Sequence, residues 1–366
     1  MLVPKMSAWK YRQLTPKVIV LKLGLIDQKD LIELTDRNLE SISAELLKTP
    51  YQEDITDFST AQIDSSSLEK ALFRNFQGAY SNIIDCSPKD VKLLISTMQM
   101  KFEAWNVKAM LRSKSSNLNI DKSMNYILPF GKLTEETCRT KLEKSNTVPD
   151  LVSAMSDLEF GKILMNSLTE FEKTREIQVL EAAIDRYVYD MIWKATDHLH
   201  GLDRKISKIV LGIEIDLINL KTILRGITLG LSESQIVCLL LSSSEVFEEA
   251  DWKNVARSAD ATSAVQSLMA AAKSSYSRDH QWLLAKARAE YQKTRSLSQL
   301  ETVLDRCLLT VSLRMVRKYT DFFNVGSVLA FLNLKWFEIR NLRAIIRGAE
   351  ANLSSAEIRK LLIFPY

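Results

Sequence analysis

Apolar and polar positions along the chain recur with the period of an α-helix, and no sustained alternation of period two competes with it. One pattern occurs three times: an acid, two variable residues, Asn, an aliphatic residue, a base, a variable residue, two aliphatic residues and Arg. At about 100° per residue, its aliphatic positions share one helix face and its two cations lie opposite. The copies, each predicted to be an amphipathic helix, are Glu103–Arg112, Asp216–Arg225 and Glu338–Arg347.

The copies lie far apart in the chain. Their asparagines, Asn106, Asn219 and Asn341, are separated by 113 residues (219 − 106) and 122 residues (341 − 219). These are domain-sized spacings rather than those of a short-unit solenoid. A Leu-Glu pair precedes each asparagine by 38, 39 and 41 residues, at Leu68-Glu69, Leu180-Glu181 and Leu300-Glu301. We therefore predict a triplicated helical unit, with copies over residues 1–117, 118–229 and 230–366.

Helix-capping signals also repeat. The seventh residue after each repeat arginine is Asn119, Ser232 or Ser354, and all three residue types cap helix N-termini. Gln235 and Glu357 stand three positions after the two serines, which predicts capping boxes in the second and third copies. We expect a short helix to begin after each cap.

Helix breakers are sparse, with 10 Gly and 7 Pro and no proline between Pro149 and Pro365. This favours long helices. Ser87-Pro88 suits a helix start, and Gly226 and Gly348, directly after two of the repeat arginines, suit helix stops. We predict an all-α chain with well over half of its residues in helices.

The chain has 366 residues, of which 46% are hydrophobic, so it is long and apolar enough to bury a substantial core. A formal net charge of +4 is too mild to indicate nucleic-acid binding. The apolar run Val18–Ile26 is interrupted by Lys22 and falls short of the ~20 residues of a membrane span. The four cysteines are far apart and form no CxxC pair, so the sequence indicates neither a zinc site nor a disulfide framework: Cys86, Cys138, Cys238 and Cys307. We therefore expect the protein to function in a reducing cytoplasm.

Catalytic motifs are missing from the sequence. There is no GxxxxGK[ST] or GxGxxG phosphate loop and no GxSxG nucleophile elbow. His198, His200 and His280 form no HExxH, and Asp197 with the first two histidines has no further metal ligand nearby in sequence. We therefore expect no catalytic residue, no cofactor and no metal.

The repeated polar residues have two interpretations. The acids and asparagines fit a hydrogen-bonded, semi-buried packing role, at Glu103, Asn106, Asp216, Asn219, Glu338 and Asn341. The cations fit either a solvated face or a basic surface toward an acidic partner, at Lys108, Arg112, Lys221, Arg225, Arg343 and Arg347. Core packing or partner anchoring fits Trp193, Trp252, Trp282 and Trp336.

The combination of motifs resembles a known family, the C-type component of the central stalk of archaeal and bacterial A/V-type ATPases, called d in eukaryotes. The resemblance rests on the triplicated pattern, the Leu-Glu pairs, the Arg-Gly endings of the second and third copies, and Pro129-Phe-Gly-Lys-Leu133. It extends from about Lys17 to the C-terminus and is closer to prokaryotic members. The first sixteen residues look unlike the family, and we expect Pro16 to interrupt any helix through them.

The resemblance implies three similar helical bundles in a pseudo-threefold arrangement that form a funnel with a central cavity. It also implies a non-catalytic socket that links the rotating shaft of subunits D and F to the proteolipid (c/K) ring and transmits torque for proton or sodium transport. The A3B3 catalytic head would be an indirect partner. The protein would lie peripherally on the cytoplasmic face, without spanning the bilayer or binding nucleic acid.

Two alternatives come from other classes of protein. One is a generic all-helical scaffold or adaptor unrelated to ATPases. The other is an all-helical enzyme with a central cavity, which no DDxxD-type acidic cluster supports.

Overall fold

The computed structural model describes residues 8–56, 64–131, 133–242, 246–271, 277–319 and 323–366, and leaves out the side chains of 277–280. Helices make up 78% of the structure, and the described residues contain no strand. The predicted all-α class is therefore confirmed, as is the expectation that well over half of the residues are helical. Among the described residues, no helix has the length and apolar character needed to cross a bilayer.

In chain order the helices are α1 Leu14–Leu23, α2 Gln28–Leu34, α3 Leu39–Leu46, α4 Gln52–Thr56, α5 Ser65–Cys86, α6 Lys89–Ser115, α7 Ile120–Met124, α8 Glu135–Glu143, α9 Val148–Ala154, α10 Glu159–Thr174, α11 Ile177–Thr196, α12 Gly201–Thr228, α13 Glu233–Cys238, α14 Glu249–Ala256, α15 Ala261–Ala271, α16 Ser277–Thr294, α17 Leu297–Lys318, α18 Val325–Glu350 and α19 Ser355–Leu361.

One succession of helices occurs three times. The three sequence copies lie on α6, α12 and α18, called the repeat helices below. Each follows a long helix that carries the Leu-Glu pair (α5, α11 and α17, the leading helices) and precedes a short one (α7, α13 and α19, the closing helices). The predicted unit limits at residues 117 and 229 lie just after the ends of α6 and α12.

The predicted caps are confirmed. Asn119 accepts a hydrogen bond from the backbone N–H of Lys122 at 2.8 Å and begins α7. Ser232 with Gln235 and Ser354 with Glu357 form complete capping boxes at the starts of α13 and α19. The helix start at Ser87-Pro88 is also confirmed, since α6 begins at Lys89.

The predicted helix stops at Gly226 and Gly348 are wrong, because both residues lie inside their repeat helices. A Cβ atom on Gly226 would lie 2.6 Å from Cγ1 of Ile236, and one on Gly348 would lie 2.6 Å from Cγ1 of Ile358. Glycine is needed at these positions so that the closing helix can approach the repeat helix, and not to end the helix.

Pro16 lies in the first turn of α1, which begins at Leu14. Proline is tolerated there because the N–H groups of the first turn have no partner within the helix in any case. The helix therefore includes a residue that was expected to interrupt it.

Contacts divide the chain into two compact units. The first contains the described residues of Met1–Ser96, Leu128–Phe130 and Asp305–Tyr366. Its core includes an aromatic cluster in which Phe76 lies 5.1 Å from Tyr80, 5.5 Å from Phe130 and 6.0 Å from Trp336, measured between ring centroids.

The second unit contains the described residues of Thr97–Ile127 and Gly131–Leu304. Ring contacts in its core include Phe160 with Tyr187 at 6.1 Å and Phe247 with Trp252 at 5.1 Å. The limits of the two compact units differ from those predicted from the repeats, so the three-unit division remains a prediction based on the repeated sequence.

Candidate functional site

The repeat asparagines are buried and, in two copies, make the same pair of hydrogen bonds. Nδ2 of Asn219 donates to the carbonyl of Leu241 at 3.1 Å, and the N–H of Leu241 donates to Oδ1 at 2.7 Å. Asn341 bonds both backbone groups of Ile363 in the same way, at 2.9 and 2.7 Å. Each amide thus acts as a backbone partner for the chain that follows the closing helix. Asn106 is equally buried.

The repeat acids are enclosed as well. Asp216 and Glu338 are buried, and Glu103 packs against Gly131 so closely that a Cβ atom there would lie 2.5 Å from the glutamate Cγ. Gly131 also has a φ of 79°, which an L side chain rarely adopts. The close contact and the positive φ explain why position 131, within the segment from Pro129 to Leu133, is a glycine. Lys132 of the same segment lies outside the described residues.

Glu338 belongs to a buried polar cluster, the Tyr51–Lys335–Glu338 cluster. Oε1 of Glu338 accepts hydrogen bonds from the Tyr51 hydroxyl at 2.7 Å and from Nζ of Lys335 at 2.9 Å, and Oε2 accepts from the N–H of Ile26 at 2.6 Å. Nζ of Lys335 also donates to the Tyr51 hydroxyl at 2.9 Å. The repeated pattern includes Glu338 but does not predict this cluster, because the other residues are distant in sequence or outside the pattern.

Burial changes the proton affinities of this cluster. Desolvation, reinforced by the charge and hydrogen bond of Glu338, raises the pKa of Tyr51. Desolvation also lowers the pKa of Lys335, although the neighbouring carboxylate opposes that shift. The cluster ties the chain before α4 and before α2 to the repeat helix α18.

The repeat arginines pair with the glutamates of the Leu-Glu pairs. Arg112 binds Glu181 with two hydrogen bonds of 2.5 and 2.8 Å, and Arg225 binds Glu301 with two of 2.5 and 2.6 Å. The third repeat arginine, on α18, donates through Nε to Oε1 of Glu69.

The three pairs follow one rule. The arginine of the first copy pairs with the leading helix of the second, that of the second with the leading helix of the third, and that of the third, Arg347, with the leading helix of the first. Each pair lies within a single compact unit. The sequence revealed both motifs separately, but not that they bind each other across 69 to 278 residues.

These pairs are partly exposed. The side chains of Arg112 and Arg225 are 63% and 60% exposed, whereas their glutamate partners Glu181 and Glu301 are 13% and 21% exposed. Hydrogen bonding to Glu181 raises the pKa of Arg112. Bidentate geometry strengthens such pairs, while solvent screening limits each to about 1 kcal/mol.

The other repeat cations are less uniform. Nζ of Lys108 lies 2.7 Å from Oδ1 of Asp185, four residues after the glutamate that Arg112 binds. Nε of Arg343 lies 3.2 Å from Oε2 of Glu69, and its guanidinium lies 5.3 Å from the ring centroid of Phe73. Lys221 is half-buried. The candidate interface cations Lys108, Arg112, Arg225, Arg343 and Arg347 therefore each lie against an acidic side chain of the chain itself.

A further repeat position links the first two copies. Lys101 and Glu214 stand two residues before the repeat acid, and Nζ of Lys101 lies 2.5 Å from Oε1 of Glu214 in a partly buried pair. The Tyr189 hydroxyl donates to the same oxygen at 2.9 Å. In the third copy this position is Trp336, which stacks on Phe76 in the first unit.

The four candidate tryptophan anchors are at most half-exposed. Trp252 is buried, while Trp193, Trp282 and Trp336 are half-buried. Nζ of Lys208 lies 5.0 Å from the ring centroid of Trp193.

The residues considered for metal binding or catalysis lie apart from one another. His198 and His200 are exposed, and Asp197 lies 2.7 Å from Arg204. The His280 side chain lies outside the described part, and the described residues contain no cluster of three or more His, Cys, Asp or Glu suited to a metal. Cys138 is buried, and desolvation raises its pKa to about 12, so its thiol stays protonated at neutral pH.

Comparisons with known proteins identify relatives over most of the chain. Residues 14–361 match the family described as the ATP synthase (C/AC39) subunit. The C subunit of the A-type ATP synthase from Methanocaldococcus jannaschii is 29% identical over 341 residues, which cover 93% of this chain and 82% of that protein. The C subunit from Halorubrum lacusprofundi is 25% identical over 344 residues, which cover 93% of each chain. The C subunit from Methanosphaera stadtmanae is 25% identical over 327 residues, which cover 87% of this chain and 82% of that protein.

Proposed function

The chain belongs to the ATP synthase (C/AC39) subunit family, and from this we propose that it is a non-catalytic central-stalk subunit of a rotary ATPase. Its role would be a socket that links the rotating shaft of subunits D and F to the proteolipid ring and passes torque between them. It would be held peripherally at the cytoplasmic face of the membrane by these partners, with the A3B3 head as an indirect one.

The observation that best supports this role is the set of three arginine–glutamate pairs that join different copies. A torque adaptor must resist shear between its helices, and a bidentate pair fixes both distance and orientation. Arg112 with Glu181 and Arg225 with Glu301 form such pairs, while Glu69 accepts one hydrogen bond from Arg347 and one from Arg343. These contacts join each repeat helix to the leading helix of another copy. Long capped helices add stiffness along their own axes.

The basic face of the repeat helices is our proposed contact surface for an acidic partner. Reversing the charge of Arg225 would break its pair with Glu301 as well as any contact with a partner, so its effect alone would be ambiguous. Lys221 lies one turn earlier on the same helix and is half-buried. If its melting temperature equals that of the wild type, Lys221→Glu should weaken binding of the purified chain to the D and F subunits, while Lys144→Glu, at an exposed position on another helix end, should not. Equal affinities for both variants would reject this surface.

Affinity purification from the native membranes tests the role as a whole. The tagged chain, extracted in mild detergent, should bring down D, F and the proteolipid, identified by mass spectrometry. A chain that is recovered alone and monomeric would favour the generic helical scaffold and contradict the proposed coupling role.

A further inference from the structure

Helix α1 has a second apolar face that the fold of the first unit does not cover. Leu14 and Val18 are buried where α1 packs against α5 and α18. Three large aliphatic side chains on the same helix remain in solvent: Ile19 is 49% exposed, Val20 64% and Leu23 80%. A stable helix in a soluble protein usually turns polar residues outward, so this face requires another explanation.

The exposed side chains form one stripe. At about 100° per residue, Ile19, Val20 and Leu23 fall within about 100° of one another around the helix, on the side opposite Val18. Lys17 and Lys22 fall on either side of the stripe. Lysines in such flanking positions can extend their ammonium groups away from an apolar layer that their stems cover.

The charge of the surrounding segment has one sign. Residues 8–26 contain Lys10, Arg12, Lys17 and Lys22 and no Asp or Glu. Lys10 pairs with Asp90 at 2.7 Å. Within the described residues, Lys17 and Lys22 make no ion pair. The free positive charge is therefore concentrated beside the aliphatic stripe.

We propose that this face, made of Ile19, Val20 and Leu23 with Lys17 and Lys22, docks on the surface of an anionic lipid bilayer. An apolar stripe flanked by cations is the pattern of helices that lie in the interface plane, with aliphatic side chains among the headgroups and cations near lipid phosphates. The stripe belongs to a single helix, which suits a flat surface better than the enclosed pocket that anchors a protein partner. No span is involved, since no described helix is suited to cross a bilayer.

Vesicle sedimentation with the purified full-length chain tests the proposal without any other protein. The chain should sediment with phosphatidylcholine vesicles that contain phosphatidylserine, and at least about tenfold less with vesicles of phosphatidylcholine alone, because the cations supply much of the attraction. High salt should release it. Equal behaviour with both vesicles, or none with either, would overturn the proposal.

Two variants locate the contact. Ile19→Ser/Val20→Ser/Leu23→Ser should reduce binding to the anionic vesicles at least about tenfold, and Lys17→Glu/Lys22→Glu should do the same. Leu229→Ser and Lys144→Glu are the matched controls, because both side chains are exposed, Leu229 by 75%, and both lie in the second unit. Both control variants should bind vesicles like the wild type.

Ile19, Val20, Lys22 and Leu23 are exposed and Lys17 is half-buried, so melting temperatures close to that of the wild type should accompany the loss of binding. If the serine variant binds vesicles normally but no longer copurifies with another protein of the complex, the face is a protein contact and the lipid proposal is wrong. Because the vesicles contain no protein, this result does not depend on the proposed coupling role.

Discussion

Arg225 and Glu301 form a bidentate ion pair, with Nε to Oε1 at 2.5 Å and Nη2 to Oε2 at 2.6 Å, that joins the repeat helix of the second copy to the leading helix of the third. The sequence shows the arginine as the end of one recurring pattern and the glutamate as part of another. The structure shows that the two patterns are complementary halves of one contact. The corresponding ion pairs of Arg112 and Arg347 show that this contact recurs together with the repeated helices.

A double-mutant cycle tests this pair. Arg225→Met, Glu301→Gln and the combination should give a coupling energy of about 0.5 to 1 kcal/mol in urea unfolding, because the pair is bidentate but its arginine is largely exposed. The coupling should shrink in high salt. Additive effects of the two substitutions would show that the pair contributes nothing to stability.

Asn219→Leu should lower the free energy of unfolding by about 1 to 3 kcal/mol, because it leaves the N–H and the carbonyl of Leu241 buried without their partner. Asn82→Leu is the control, since Asn82 is exposed and bonds the carbonyl of Gly78 on its own helix. Its effect should stay within about 0.5 kcal/mol. Similar losses at both positions would contradict a specific role of the repeat asparagine.

Gly226→Ala should destabilise the chain by about 1 to 3 kcal/mol, because its methyl group would overlap Ile236. Gly78 lies in the middle of α5 with nothing near the position of a Cβ atom, so Gly78→Ala should instead stabilise by about 0.5 to 1 kcal/mol. Thermal melting of the two variants should therefore move in opposite directions. A gain in stability at both would mean that Gly226 is not needed for close packing.

Lys335→Met should cost about 3 kcal/mol or more, because Glu338 would remain buried without its cation. Adding Glu338→Gln removes that charge; the amide oxygen can still accept from the N–H of Ile26, and the amide nitrogen can donate to the Tyr51 hydroxyl in place of Lys335. The double variant should therefore be more stable than Lys335→Met alone in chemical denaturation. A double variant that is less stable would argue that the ion pair is not the source of the loss.

The raised pKa of Tyr51 predicts that the free energy of unfolding depends on pH. Its folded pKa is raised above the value of about 10 in the unfolded chain, so the stability from its hydroxyl is fully present below about pH 10 and is lost as the pH rises through the folded pKa. Wild type should exceed Tyr51→Phe in unfolding free energy by a constant amount up to pH 10, and by less above it. A difference that grows above pH 10 would reverse the sign of the inferred shift.

Much of the fold could be predicted from local patterns. Ser232 and Ser354 signal helix starts through their own neighbours, and the structure contains both capping boxes. The role of Gly226 could not be predicted from its neighbours in sequence, because it depends on Ile236, a residue of the closing helix that packs against it. The contact between Lys335 and Tyr51 could not be predicted from local patterns either, because the two residues are 284 positions apart in sequence.

Energy coupling in native membranes tests the central claim most directly. Membrane vesicles from cells that lack this chain should retain ATP hydrolysis but fail to build an ion gradient on addition of ATP, and expression of the chain should restore the gradient. That result is expected of a non-catalytic link between shaft and ring. An ion gradient of normal size without the chain would contradict the coupling role.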